Sequence, residues 1–351
     1  MVNNVKNSKR CGIISIYGLN NYGNRLQNYA LIHILQSMGC QCNNFLDLKK
    51  TWYIKYCIAR ILKKQFGMMR RTLLFRKLDK KLSKNIYAKR NTKKKQESFD
   101  YLICGSDQIW TPKLASSYYF AEFAPKEKKI AYAASFGVSS IPDFQKEQYR
   151  KWLYGFKSIS VRESSGAEII NNLTGIDVEV LIDPTMLLNR QEWKKLSKKP
   201  KFNINKKYML TYFLGNINIE RKRYIDSICK KCGLELIDLN EKQPSKFYYK
   251  TGPAEFIWLI EHSTAVFTDS FHGSVFSILF NIPFIVFNRD EQISEMNSRI
   301  DTLLHTMKLE DRRFNNQTAQ YVFKKEYSHI DAILKKERKR SMLFLGKALN
   351  I

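Results

Sequence analysis

The sequence predicts an α/β chain of two Rossmann-like lobes with parallel sheets and a cleft between the lobes. Three observations carry this reading. Short apolar runs alternate with amphipathic helical patterns over residues 12–182. The same alternation restarts at residue 208 and continues to 287. Between the two, Arg190 to Lys207 is basic, contains Pro200 and shows little periodicity, which is the character of a linker. Strands alternating with helices read as βαβ units, whose sheets are parallel and covered on both faces.

In the first half, Gly12 to Tyr17 reads as a strand. Arg25 to Met38 reads as a helix, with Leu26, Ala30, Ile34 and Met38 at helical spacing and Gly39 as its stop. Phe99 to Cys104 and Lys129 to Phe136 are the next strands, and Phe144 to Phe156 a helix. Lys157 to Val161 is a strand, Ser164 to Leu173 a helix, and Val178 to Ile182 a strand that ends at Asp183-Pro184. In the second half the strands are Tyr208 to Leu214, Leu234 to Leu239, Ala265 to Thr268 and Pro283 to Phe287. The helices are Ile219 to Cys232, Pro253 to His262 with Pro in its first turn, and Ser274 to Asn281. The expected domains are an N-terminal lobe over 1–190, a C-terminal lobe over 205–325, and a helical tail over 326–351 that packs back across the lobes.

The length of 351 residues fits two domains at roughly 150 residues each. A composition 44% hydrophobic and 13% aromatic excludes disorder. The net charge of +28 points to an acidic partner: nucleic acid, a membrane surface or a phosphorylated ligand. Its distribution is uneven. Residues 49–95, placed between the first two strands, hold 18 Lys/Arg and one acid, Asp79, hence +17. Ile54, Ile58, Ile61, Leu62 and Phe66 form an apolar stripe there, continued by Leu74, Leu78 and Leu82. This insertion reads either as a basic amphipathic helix on an anionic membrane or lipid-linked substrate, or as a hairpin packed on the first lobe with a solvated basic face. Charge gathered in one insertion, without a known nucleic-acid motif, argues against nucleic acid as the partner.

No apolar run approaches the roughly 20 residues of a membrane span, and no secretory apolar segment is expected at Met1 to Arg10. Seven scattered cysteines fit a reduced, cytoplasmic setting. Cys229-x-x-Cys232 has no second Cys/His pair nearby, so no metal is expected.

Ligands in open α/β sheets sit at the carboxyl ends of strands. After the first strand, Gly18 and Gly23 permit tight turns, Asn21 or Asn24 can cap the helix, and Arg25 adds charge to an N-terminus suited to anions. This is not a GxGxxG, and no acid closes the next strand, so dinucleotide binding is poorly supported. Ser106, Asp107 and Gln108 close a strand, where Asp107 can bind sugar hydroxyls or act as a base. Ser135 closes another and lines the same cleft. Arg162 offers a planar fork for a carboxylate or phosphate. His272, before Gly273 at a helix start, can orient a phosphate or transfer a proton.

Together these segments resemble the polysaccharide pyruvyl transferase family. The matching stretches are Asn20 to Asn24, Gly105 to Trp110, Ala134 to Gly137, Ser160 to Glu163, Ile182 to Thr185 and Asp269 to Gly273, in family order. The resemblance implies a GT-B-like arrangement of the lobes. It implies phosphoenolpyruvate as co-substrate, with no further cofactor. It also implies a saccharide acceptor, often lipid-linked, in capsule, exopolysaccharide or cell-wall synthesis; the cysteine usage and the basic insertion 49–95 add the expectation of a cytoplasmic protein with a peripheral contact at the inner face of the membrane. Catalytic roles fall to His272 and Asp107. Donor binding falls to Arg162, His272, Ser270, Gly273, Asn21, Gly23, Asn24 and Arg25, and acceptor binding to Ser106, Asp107, Gln108 and Ser135. Ser270 departs from the family, whose better-known members carry a base there, and Arg25, Arg289 or Arg299 are the candidates to replace its charge. The competing reading of the same architecture is a GT-B glycosyltransferase using a nucleotide sugar.

Overall fold

The computed structural model describes residues 8–17, 21–47, 51–82, 85–87, 91–240, 244–289, 297–324 and 326–351. Gly18 and Asn20 of the first turn, and Lys49 and Lys50 of the insertion, lie outside them. In the first lobe the chain runs β1 (Arg10–Ile14), α1 (Tyr22–Ser37), β2 (Gln41–Leu46), α2 (Trp52–Leu62), α3 (Phe66–Leu82), β3 (Asn85–Tyr87), α4 (Thr92–Gln96), β4 (Tyr101–Cys104) and β5 (Lys129–Ala134). It continues through α5 (Asp143–Tyr154), β6 (Ser158–Val161), α6 (Ser164–Thr174), β7 (Glu179–Val180), α7 (Pro184–Leu187) and α8 (Arg190–Leu196). The second lobe runs β8 (Tyr208–Tyr212), α9 (Ile219–Lys231), β9 (Glu235–Asp238), α10 (Lys246–Tyr249), α11 (Pro253–Glu261), β10 (Ala265–Thr268), α12 (Phe271–Phe280), β11 (Phe284–Val286), α13 (Ser298–Met307) and α14 (Ala319–Val322). The tail is α15 (Ile330–Leu349).

Every described strand pair is parallel. The first sheet has the order β3-β2-β1-β4-β5-β6-β7 and the second β11-β10-β8-β9. Both orders reverse direction once, between β1 and β4 and between β8 and β10. Those reversals open crevices at the carboxyl ends of the strands. Strands covered on both faces need apolar side chains on both, and β4, β8 and β10 are buried at every residue.

Two sequence expectations are corrected here. The basic insertion does not lie between the first two strands, because β2 and β3 intervene and pair in sheet register. Asn43 and Asn44 break the apolar run of β2; Asn44 is nevertheless buried, accepting a hydrogen bond from Asn28 Nδ2 at 2.9 Å. The supposed linker opens with a helix, α8. Asn189 and Glu192 form a capping box around its start, and Trp193 is buried, its Nε1 donating to the Thr185 carbonyl at 3.0 Å.

The largest apolar cluster runs through both lobes, from Ile13 and Tyr22 to Tyr212, Phe256 and Val286. Tyr22 of α1 stacks on Phe256 of α11 with ring centres 4.3 Å apart and meets Tyr212 edge-on. Helix α15 lies back against the first lobe: Arg338 donates to the Met186 and Leu188 carbonyls at 2.8 and 3.0 Å, and Lys157 Nζ reaches the Ala348 carbonyl at 2.7 Å. The two crevices therefore face each other across a shared core.

Candidate active site

Residues after β1, β4, β5, β6 and β7 of the first lobe converge on those after β8 and β10 of the second. Arg162 follows β6, and its backbone N–H still pairs with the Ala134 carbonyl at 3.1 Å. Its guanidinium is fully enclosed. Nη1 donates to Asp183 Oδ2 at 2.7 Å and to Ser106 Oγ at 3.3 Å, while Asp107 and Glu163 lie at 3.8 and 4.0 Å. The guanidinium plane rests 4.3 Å from the centre of the Phe271 ring, a second-lobe side chain. Burial opposes its charge, but Asp183, Asp107 and Glu163 outweigh that and keep Arg162 firmly protonated.

Asp183 is a shared acceptor. It caps α7, taking the Thr185 N–H at 2.9 Å and the Thr185 hydroxyl at 2.6 Å, and it takes the Ser106 hydroxyl at 2.6 Å. Burial alone would raise its pKa. His272, Arg162 and Ser106 instead hold its carboxyl far below the ordinary carboxylate range. Glu163 anchors the end of β5, where the register shifts between Ala131 and Ala134. Its Oε1 accepts the Ser135 hydroxyl and the N–H groups of Phe136 and Gly137 at 2.9, 2.8 and 3.1 Å.

His272 enters from the second lobe in the first turn of α12. Its Nε2 lies 3.7 Å from Asp183 Oδ2, so the pair crosses between the lobes. The ring packs so closely on α1 that a Cβ at Gly23 would fall 1.9 Å from His272 Nδ1. Ser270 caps α12, its hydroxyl accepting the Gly273 N–H at 3.3 Å. Gly273 itself is pressed against Thr268. Asp269 binds the β8 turn, accepting the Leu214 and Gly215 N–H groups at 2.7 and 2.8 Å, with Arg289 Nε 3.5 Å away.

The other residues singled out in the sequence divide into those at this centre and those holding it. Asn24 Nδ2 donates to Asp107 Oδ2 at 3.1 Å, and Asn21 caps α1 by accepting the Asn24 N–H at 3.0 Å. Asp107 sits at φ 73°, in the left-handed region, with its carboxylate also taking the Gln108 N–H at 2.9 Å. Burial would raise its pKa, but Arg162, His272 and Arg299 lower it, so it is a weaker base than an ordinary carboxylate. The hydroxyls of Ser106 and Ser135 are committed to Asp183 and Glu163. Gln108 packs under Gly137. Arg25 is buried with its guanidinium 3.5 Å over the Tyr17 ring.

Four buried nitrogens here have no hydrogen-bond acceptor among the described residues: Arg162 Nε and Nη2, His272 Nε2 and Arg299 Nε. Arg299 stands one residue into α13, whose start is tied to α6 by Ser165 Oγ on Ser298 Oγ at 3.2 Å and Ser164 N on Thr302 Oγ1 at 3.2 Å. Burial, then Arg162 and Arg289, push the pKa of Arg299 down to about 9. Crowded cations whose nitrogens make no hydrogen bond can receive an anion.

The family model for polysaccharide pyruvyl transferase matches residues 21–291, a span holding every residue of this centre except Arg299. The chain belongs to the polysaccharide pyruvyl transferase family. No curated protein matches the sequence. Among solved structures it is similar to a protein described as a UDP-N-acetylglucosamine 2-epimerase from Listeria monocytogenes, at TM-score 0.50 and 10% identity over 97% of this chain and 96% of that one. It is similar also to LpCGTa in complex with UDP, at TM-score 0.50 and 11% identity over 98% of this chain and all, 100%, of that one. These likenesses carry the two-lobed fold alone.

In this pyruvyl transferase family member, Asp183 and Glu163 join the site although the sequence does not single them out as site groups. Each lies inside a matched motif, and an acid directly after an Arg or before a helix-starting Pro is the available signal. Arg299, one of three candidates to replace a base at Ser270, is the one whose buried charge is crowded by Arg162.

Proposed function

We propose that the chain transfers a pyruvyl group from phosphoenolpyruvate to two hydroxyls of a saccharide, forming a ketal. The observation that carries this is the set of four buried nitrogens from Arg162, His272 and Arg299 that make no hydrogen bond, three of them only loosely paired with carboxylates at 3.7–4.0 Å, which suits a small ligand with both a carboxylate and a phosphate. In the reaction C3 of the enol gains a proton, two C2–O bonds form to the sugar, and the C2–O bond to phosphate breaks. One hydroxyl proton ends on C3 and the other leaves with phosphate.

The residues divide this work. Arg162 is held rigidly by Asp183 and Ser106 and presents Nε and Nη2 to an anionic group of the donor. Arg299 neutralises developing phosphate charge from the second lobe. His272 Nε2 binds the phosphate or delivers the proton to C3. Asp107, kept ionised, offsets positive charge developing at C2. A cavity of about 580 Å³ opens beside Arg162, Asp183 and Phe271 and is walled by Thr302, Thr306, Glu337 and Arg340. Its size suits a small-molecule site, and its mixed polar wall suits sugar hydroxyls.

The acceptor in this reading is a lipid-linked saccharide of capsule, exopolysaccharide or cell-wall synthesis, handled in the cytoplasm at the inner face of the membrane. The test is to incubate the protein with phosphoenolpyruvate and saccharide acceptors, and separately with nucleotide sugars. Phosphate release matched by a pyruvylated product is expected. Nucleotide release with glycosyl transfer, and none from phosphoenolpyruvate, would replace this reading with glycosyl transfer.

A further inference from the structure

The basic insertion is built the wrong way round for a helix that only packs on its own protein. On α2, half-buried Tyr53, Tyr56 and Cys57 face inward, and the rings of Tyr56 and Tyr53 are covered by Arg60 and Arg76 at 4.7 and 4.1 Å. The aliphatic side chains face outward. Ile54 is 58% exposed, Ile58 50%, Ile61 48%, Leu62 77%, and Phe66 at the start of α3 60%. A helix stabilised by its own fold turns that stripe inward. Lys55, Lys63 and Lys64 are exposed beside it. No acid occurs from residue 49 to residue 78.

The hairpin is also firmly seated. Arg71 of α3 is fully buried and donates to the Tyr248 and Thr251 carbonyls of the second lobe at 2.9 and 2.8 Å. A Cβ at Gly67 would collide with Tyr249 at 2.9 Å. The outward stripe is therefore carried on α2 and the start of α3, and α3 is fixed to both lobes through Tyr22, Tyr248 and Thr251.

We propose that the outer face of α2 and the start of α3 dock on an anionic lipid bilayer, the aliphatic residues entering the interface and the lysines meeting lipid headgroups. Exposed aliphatics among cations fit that surface and no other partner as well. A second copy of the chain would set one strongly cationic hairpin, with Asp79 as its one acid, against another. Nucleic acid would leave the aliphatics in water. The proposal draws on the pyruvyl-transfer reading only for its purpose, holding the cleft where a lipid-linked saccharide lies. No helix among the described residues is long and apolar enough to cross a membrane, so the contact is peripheral at these residues.

The test is co-sedimentation of the full chain with phosphatidylcholine vesicles, with and without phosphatidylglycerol. Binding is expected only when phosphatidylglycerol is present. Ile58→Asp with Leu62→Asp should abolish it, and Lys63→Gln with Lys64→Gln should weaken it roughly 30-fold. Leu343→Asp, at an exposed apolar site on α15, should leave it unchanged. Circular dichroism and pyruvyl transfer to a soluble saccharide, run on the same preparations, should match the parent. The proposal is overturned by absent binding to phosphatidylglycerol vesicles, by unchanged binding in the aspartate variant, or by dimers that the aspartates dissolve. If the parent binds vesicles but transfers no pyruvyl group, the reaction assignment fails and the surface stands.

Discussion

Gly23 decides where His272 stands. A methyl group there would occupy the imidazole's own space, with 1.9 Å between Cβ and Nδ1. Gly23→Ala must therefore displace the ring or part the lobes at that point. We expect it to lower kcat about as far as His272→Ala, at least about a hundredfold, the scale of lost acid–base help. Tm and the far-ultraviolet spectrum should show both variants folded; a near-parental kcat in either would remove His272 from the chemistry. Arg299 makes the opposite kind of prediction. Its guanidinium is buried, crowded by Arg162 and Arg289, and its pKa is pushed down to about 9, so it costs the unliganded fold stability. Arg299→Gln should raise Tm in the absence of ligand and weaken phosphoenolpyruvate binding at least about tenfold by calorimetry, the scale of one charge-assisted hydrogen bond. A lower Tm with unchanged binding would make Arg299 a packing residue.

At the scale of elements, Arg71 of α3 joins the lobes. Besides the two carbonyls, Arg71 donates to the Tyr22 hydroxyl and lies 3.8 Å from the Tyr248 ring centre and 4.3 Å from that of Tyr22. Arg71→Met keeps the bulk but leaves two buried carbonyls without that donor. The expected loss is about 2–4 kcal/mol in denaturant unfolding, with a larger loss for Arg71→Ala. The sequence shows the elements unequally, for physical reasons. Strands β4, β8 and β10 are continuous apolar runs because both their faces are covered. β2 hides behind Asn43 and Asn44, the second of which is buried and accepts a hydrogen bond from Asn28 on α1. α8 hides in basic text because its anchoring signals are the Asn189–Glu192 box and a lone Trp193. Helix α3 hides its function: its stripe divides, with Leu78 buried and joined by Phe75, while the preceding aliphatics of α2 face outward. Arg162 and His272 could be read from their positions at strand ends, because topology places such residues in the cleft. Asp183 and Glu163 work through partners more than 20 residues away, and only the folded sheet brings those together.

The whole molecule is joined by the same charges that build the site. Asp183 of the first lobe holds Arg162, Ser106 and the second lobe's His272 around one carboxylate. Because its folded pKa lies far below the ordinary 3.8, its ionised form contributes stability that is complete above that value. That contribution drains away as the pH falls below about 4 toward the folded pKa, since the unfolded chain then binds the proton first. Asp183→Asn removes the carboxylate that meets the buried Arg162 most closely, leaving only Asp107 and Glu163 at 3.8 and 4.0 Å. We expect it to cost about 3–5 kcal/mol at neutral pH, the scale for breaking one side of a buried pair. The difference in Tm between parent and variant should stay constant from pH 7 to pH 5 and narrow below pH 4. Since the acid bridges the lobes through a core that runs across both, unfolding should remain a single transition in the parent. If the gap were flat through pH 3, the carboxylate would not be the group that couples protonation to folding, and the apolar core around Tyr22 and Phe256, with Arg71, would be what joins the lobes.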